Sequence, residues 1–143
     1  MKKELQEELF QKYPGIFRQK DLDKTQTAMC WGISCGDGWY TLLDELCGDI
    51  ENRIQNVNRN NPNAEPLVCE AVQVKEKFGG LRFYTVGGDD FIDGLISMAE
   101  SISSHICTEC GNKAEQKNNR GWIHSMCLDC QDNHLLRRKN EQI

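Results

Sequence analysis

The spacing of apolar residues changes several times along the chain, and each change marks an expected element. Leu5, Leu9 and Tyr13 recur at helical spacing, which predicts a helix over residues 3–13 ended by Pro14-Gly15. Residues 18–30 carry no period and read as loop. Three glycines and two tryptophans between Cys30 and Trp39 predict a tight loop whose backbone passes close to something large. The longest helix follows, with Asp37 as its expected cap and a stripe of Trp39, Leu42, Leu43, Leu46, Cys47, Ile50, Ile54 and Val57. Asn-rich residues 58–63, with Pro62 and Pro66, mark a surface loop.

From residue 67 to residue 86 the period falls to two. Val68, Val72, Val74 and Phe78 are expected on one face, and Gln73, Lys75 and Lys77 on the other. Gly79-Gly80 suits a two-residue hairpin loop that sets Phe78 opposite Leu81 and Lys77 opposite Arg82. Leu81 and Phe83 then join the apolar face, and Arg82 and Tyr84 the polar one. Asp89 or Asp90 caps a further helix with the stripe Phe91, Ile92, Leu95, Met98, Ala99, Ile102 and Ile106. In the last forty residues a Cys107-x-x-Cys110-Gly111 knuckle precedes two short strands, 113–117 and 121–125. Cys127-x-x-Cys130 then opens a helix that ends in Arg137-Arg138-Lys139, which is the order of a treble-clef finger.

The expected fold is α+β, with helices packed on a small antiparallel sheet that contains a β-hairpin. Residues 1–104 form the body, and residues 105–143 a treble-clef-like zinc-binding module packed against it. A chain of 143 residues can hold a core of its own without relying on metal for all its stability. With 38% apolar and 27% charged residues, no apolar run approaches the roughly 18 residues of a membrane span. The start has basic residues but no apolar stretch behind them, so it does not read as a signal peptide and a cytoplasmic location is expected.

The eight cysteines sharpen this picture. Two C-x-x-C pairs can reach one ion while the intervening hairpin closes the chain around it, so Cys107, Cys110, Cys127 and Cys130 are read as one tetrahedral zinc site. Four thiolates leave no open position for water or substrate, which makes the expected ion structural. His105, His124 and His134 lie near enough in sequence to offer a mixed ligand set, or to sit around the site as supporting groups. Cys30 and Cys35 could supply half of a second site with Cys47 and Cys69, whose simpler reading is as buried small hydrophobes.

The formal charge of −5 is unevenly spread, since residues 105–143 hold 6 Lys and Arg against 5 Asp and Glu. It argues against loose, sequence-independent nucleic-acid binding. Three surfaces remain as candidates. Gln73, Lys75, Lys77, Arg82 and Tyr84 converge on the polar hairpin face, where like charges set opposite each other destabilise the sheet unless they hold an anion. The plainer reading is a solvated face screened by Glu76. Trp31, Asp37 and Trp39 either border a pocket or form a helix cap held by aromatic packing. Arg137, Arg138 and Lys139 either touch nucleic-acid phosphates, together with Arg120, or solubilise a helix end. No catalytic motif is present, so no catalytic residue is assigned.

The run Cys30-Trp31-Gly32, the segment Gly36-Asp37-Gly38-Trp39, the stretch from Gln73 through Lys75, Lys77 and Gly79-Gly80 to Tyr84, then Met98-Ala99-Glu100 and the paired cysteines around Gly121-Trp122 resemble a small family of uncharacterised proteins encoded by bacteriophages and prophages. The resemblance implies a host bacterial cytoplasm and suggests interference with host defence. The resulting expectation is a non-enzymatic phage accessory protein that binds a host protein or a phosphorylated, anionic small ligand through the basic hairpin face. The alternative is a zinc-finger nucleic-acid-binding or regulatory protein. A small metal-dependent hydrolase or nuclease using Asp37, Asp89 or Asp90 is less favoured. Oligomeric state is not legible.

Overall fold

The structure is a computed structural model that describes residues 1–119 and 121–141. Helix α1, Lys3–Lys12, leads through two short 3-10 turns, Arg18–Asp21 and Met29–Trp31, to the two-residue strand β1, Ile33–Ser34. A third such turn, Asp37–Trp39, runs into helix α2, Tyr40–Asn60. Strands β2, Cys69–Lys77, and β3, Gly80–Gly87, are followed by helix α3, Asp90–Ser103. The last elements are β4, Gln116–Asn119, β5, Trp122–Ser125, and helix α4, Leu128–Asn140. The α+β expectation holds, with helices packed on a small sheet that contains an antiparallel hairpin.

That sheet has the order β1-β2-β3, and it is mixed rather than purely antiparallel. Ile33 and Ser34 pair in parallel with Val74 and Lys75, an addition too short for any periodicity to announce. The core lies between the inner sheet face and α1, α2 and α3, and Leu9, Phe17, Met29, Trp39, Leu43, Ile50 and Leu81 are fully buried in it.

Strand β2 departs from simple alternation. A register irregularity between Ala71 and Gln73 leaves Val72 as an extra residue, so Cys69 and Ala71 face the core before it and Val74 after it. Val68 and Phe78, expected in the core, are exposed, and Val72 is only partly covered. Glu70 and Glu76, the two acidic residues of β2, both find partners. Arg18 pairs with Glu70 at 3.1 Å, and the Gly79 N–H donates to Glu76 at 2.6 Å.

The hairpin turn lies one residue earlier than expected. Phe78 and Gly79 take φ of 54° and 75°, the two positive values of a type I′ turn, and Lys77 pairs with Gly80. Glu76 holds the turn through the Gly79 N–H, while Ser125 Oγ donates to the Gly79 carbonyl at 2.5 Å. Lys75, and not Lys77, therefore stands opposite Arg82, with Gln73 opposite Tyr84. The two registers differ by an even number of residues, so the polar face keeps all five of its expected members.

Helix α3 is capped by Asp89, whose carboxylate accepts from the Ile92 N–H at 3.1 Å. Its buried side is Ile92, Ile96, Ala99 and Ser103, and Phe91, Met98 and Ile102 of the expected stripe are exposed. The polar residues of this helix explain the rotation. Ser103 Oγ accepts from the Leu81 N–H at 2.8 Å and Glu100 from the Phe83 N–H at 3.0 Å, closing the free edge of β3.

Candidate metal centre

The four paired cysteines meet. Their sulfurs all lie within 4.8 Å of one another, and Cys110 Sγ and Cys127 Sγ are 3.6 Å apart. A tetrahedron with metal–sulfur bonds of about 2.3 Å requires sulfurs about 3.8 Å apart, so the cluster fits one ion of that class. Among the described residues no other group of three or more His, Cys, Asp or Glu side chains could hold an ion.

Local geometry brings the sulfurs together. Gly111, at φ 78°, turns the chain back after Cys110, with the Gly111 N–H bonded to the Cys107 carbonyl at 3.0 Å. Strands β4 and β5 then carry the chain to Cys127, which stands at the N-cap of α4. Cys107 is fully buried, Cys127 and Cys130 are half-buried, and Cys110 is exposed. Burial opposes ionisation of the Cys107 thiol, but the backbone N–H groups of Cys110, Cys127 and Glu109 outweigh it and bring the thiol down to about 7. Burial, followed by competition with the neighbouring sulfurs, pushes Cys130 up. The backbone donors thus favour the Cys107 thiolate, and an ion would supply the charge that stabilises a full set of thiolates.

The centre is tied to the rest of the molecule at two places. At the first, the Gly38 N–H donates to the Thr108 carbonyl at 2.9 Å, and Trp39 Nε1 donates to the Ile106 carbonyl at 3.0 Å. A Cβ at Gly36 would overlap the Thr108 carbonyl, and one at Gly38 would overlap the Cys107 carbonyl. The large neighbour that the glycine-rich loop was expected to meet is the cysteine knuckle. At the second, Gln116 Nε2 donates to the Phe78 carbonyl at 2.6 Å, beside the Ser125 contact with Gly79.

This docking corrects the expected role of the Trp31 to Trp39 loop. Trp39 is fully buried under the knuckle and Trp31 is 71% exposed beside β1, so the two do not border one pocket. Asp37 does not cap α2, because a 3-10 turn intervenes and Trp39 occupies the cap position. Its carboxylate instead accepts from the Lys2 N–H at 2.7 Å and pairs with the Lys2 ammonium at 3.4 Å. Asp89 pairs with Arg53 at 2.9 Å. Between the start of α2 and Arg53 lie roughly 20 Å of helix axis, so Asp37 and Asp89 do not share a cavity.

The remaining candidates are placed as follows. Gln73, Lys75, Lys77, Arg82 and Tyr84 share the outer sheet face, joined by Ser34 beside Lys75. Among the described residues, no Asp or Glu lies within ion-pair distance of Lys75, Lys77 or Arg82, nor of Arg137, Arg138 or Lys139. Arg120 lies outside the described residues. His134 approaches Glu109 at 3.9 Å, and no histidine joins the cysteine cluster. The Cys30 thiol donates to the Thr27 carbonyl at 3.3 Å, while Cys35, Cys47 and Cys69 are buried, and burial pushes all three of these thiols up. No helix among the described residues is long and apolar enough to cross a membrane. Compared with family models, curated proteins and solved structures, the chain matches none.

Proposed function

We propose that this is a non-enzymatic binding protein, a phage accessory factor of the bacterial cytoplasm, whose outer sheet face holds a phosphorylated small ligand or an acidic surface of a host protein. The supporting observation is electrostatic. Lys75 and Arg82 stand directly opposite each other with Lys77 beside them, and no described carboxylate pairs with any of the three in a chain of formal charge −5. Like charges in opposed sheet positions cost stability, and a bound anion turns that repulsion into attraction. Tyr84 and Gln73 flank the cations with an aromatic ring and an amide, groups that suit the non-phosphate part of a small ligand. The phage setting and a role against host defence rest on the family resemblance.

In this reading the four cysteines bind zinc as a structural ion in a treble-clef-like module. A full set of four thiolates favours a scaffold role, and the ion aligns the knuckle that buttresses the Gly36 to Trp39 loop. Native mass spectrometry of protein purified from its expressing bacterium reports metal, subunit number and retained ligand together. The triple variant Lys75→Ala, Lys77→Ala, Arg82→Ala should fold normally and lose any retained ligand. A triple variant that keeps the ligand removes this face from consideration.

A further inference from the structure

We propose that the groove between the β4–β5 hairpin and α4 is a second binding site, for single-stranded nucleic acid, with a base stacked on the Trp122 indole. It is separate from the sheet face and does not depend on it.

Register defines the two sides of the small hairpin. Lys117 pairs with His124 and Asn119 with Trp122, so these four side chains share one face. Gln116 and Ser125, on the other face, hold the turn of the main hairpin. The Trp122 face is therefore turned away from the body and toward α4, which brings Gln131, His134, Leu135 and Arg138 to a shared groove of about 340 Å³.

Trp31 and Trp122 are each 71% exposed while Trp39 is buried completely, and Trp122 is the exposed indole that lines this groove. Neither packing nor capping accounts for an indole held at the mouth of a groove. A nucleobase does, because every base presents a flat π face to such a ring. The other lining groups match the rest of a nucleotide. Arg138 offers a guanidinium to phosphate and carries no ion pair among the described residues, while Asn119 and Gln131 offer amides to base edges. No carboxylate is among the described lining residues, and Asp132 lies about 100° around the helix from Gln131. A peptide helix would need a continuous apolar floor. Among the described lining residues Met126 and Leu135 are the aliphatic members, and the Trp122 ring supplies the rest of an apolar surface too short for a helix face. The chain's negative charge opposes coating of a duplex, yet a strand held by stacking needs few phosphate contacts.

The probes are a short oligothymidylate and the matching oligouridylate, titrated at low salt into the metal-loaded full-length protein while tryptophan fluorescence is followed. Saturable quenching is expected. Trp122→Ala should weaken binding at least roughly tenfold and Trp122→Phe should recover part of it. Arg138→Ala should weaken it and reduce the salt slope by about 0.7. Unchanged metal content in each variant reports an intact module. The proposal is overturned if neither oligonucleotide binds at low salt, or if Trp122→Ala binds like the parent. It is also overturned if the Lys75, Lys77, Arg82 triple variant alone abolishes binding, which would assign the strand to the sheet face.

Discussion

Residues 1–104 bury Leu9, Phe17, Met29, Trp39, Leu43, Ile50 and Leu81 completely, whereas residues 105–141 bury only Cys107 and Ala114 among apolar side chains, and α4 buries nothing. The body is held in the ordinary way, by apolar area withdrawn from water. The C-terminal module has no such core. In place of one it has the cysteine cluster and hydrogen bonds to the Gly36–Gly38 loop and the Phe78–Gly79 turn. A short chain without a core can be specified by four sulfurs, provided that the rest of the protein offers backbone to lean on. The same economy leaves Trp122, Leu135 and the basic end of α4 free for contact with something else.

Metal removal is the harshest way to break this comparison. In the zinc-bound protein proposed above, chelation removes a binding free energy on the order of 10 kcal/mol from the module's folding, and Cys127→Ser removes part of it. Amide hydrogen exchange should show protection lost throughout residues 105–141 and kept in α2 and in the β2–β3 hairpin. Equal loss in both regions would mean that the body has no stability of its own. A gentler break separates module from body without replacing a ligand. Gly38→Ala places a Cβ against the Cys107 carbonyl and 2.5 Å from the Gly111 nitrogen, so it should cost about 3 kcal/mol in denaturant unfolding. Retained metal stoichiometry in that variant would locate the damage at the docking surface.

On the body side the expected effects are smaller. Asp89 is partly buried, which opposes its ionisation, but the Ile92 N–H and the Arg53 guanidinium outweigh burial and hold its carboxyl below the usual range. Its folded value is depressed, so its stabilisation is complete above the unfolded carboxylate value near 4 and disappears as pH falls through the folded value. Asp89→Ala should cost about 1 kcal/mol at neutral pH and flatten the acid limb of a thermal-melt profile. An effect of similar size and opposite sign discriminates between hairpin registers. Phe78 sits at φ 54°, so Phe78→Gly should stabilise by about 1 kcal/mol. A turn at Gly79-Gly80 would leave Phe78 in a strand and reverse that sign.

Much of this organisation was legible in the residues. Helices α2 and α3 follow from long 3.6-residue periods, the hairpin from alternation around two glycines, and the cluster from two C-x-x-C pairs whose spacing is itself a geometric constraint. What escaped depends on contacts between distant segments. The extra residue at Val72 lies where Thr27 Oγ1 donates to the Val72 carbonyl and the Ala71 N–H to the Ile16 carbonyl, and the early turn at Phe78 is held by Glu76 and by Ser125 of the module. Pairing of β1 involves only Ile33 and Ser34. Phe91, Met98 and Ile102 carry the right period on the wrong side of α3, because Ser103 and Glu100 are needed at the β3 edge and polar residues leave no periodic trace of a buried role. The glycines at 36 and 38 announced a close approach, but not that the knuckle makes it.

X-ray absorption at the metal edge, on protein purified without added metal, tests the central claim most directly. One zinc per chain with four sulfur neighbours at about 2.3 Å is the expected result. Absence of tightly held metal, or a first shell containing oxygen, would contradict a structural ion and return catalysis at this centre to consideration.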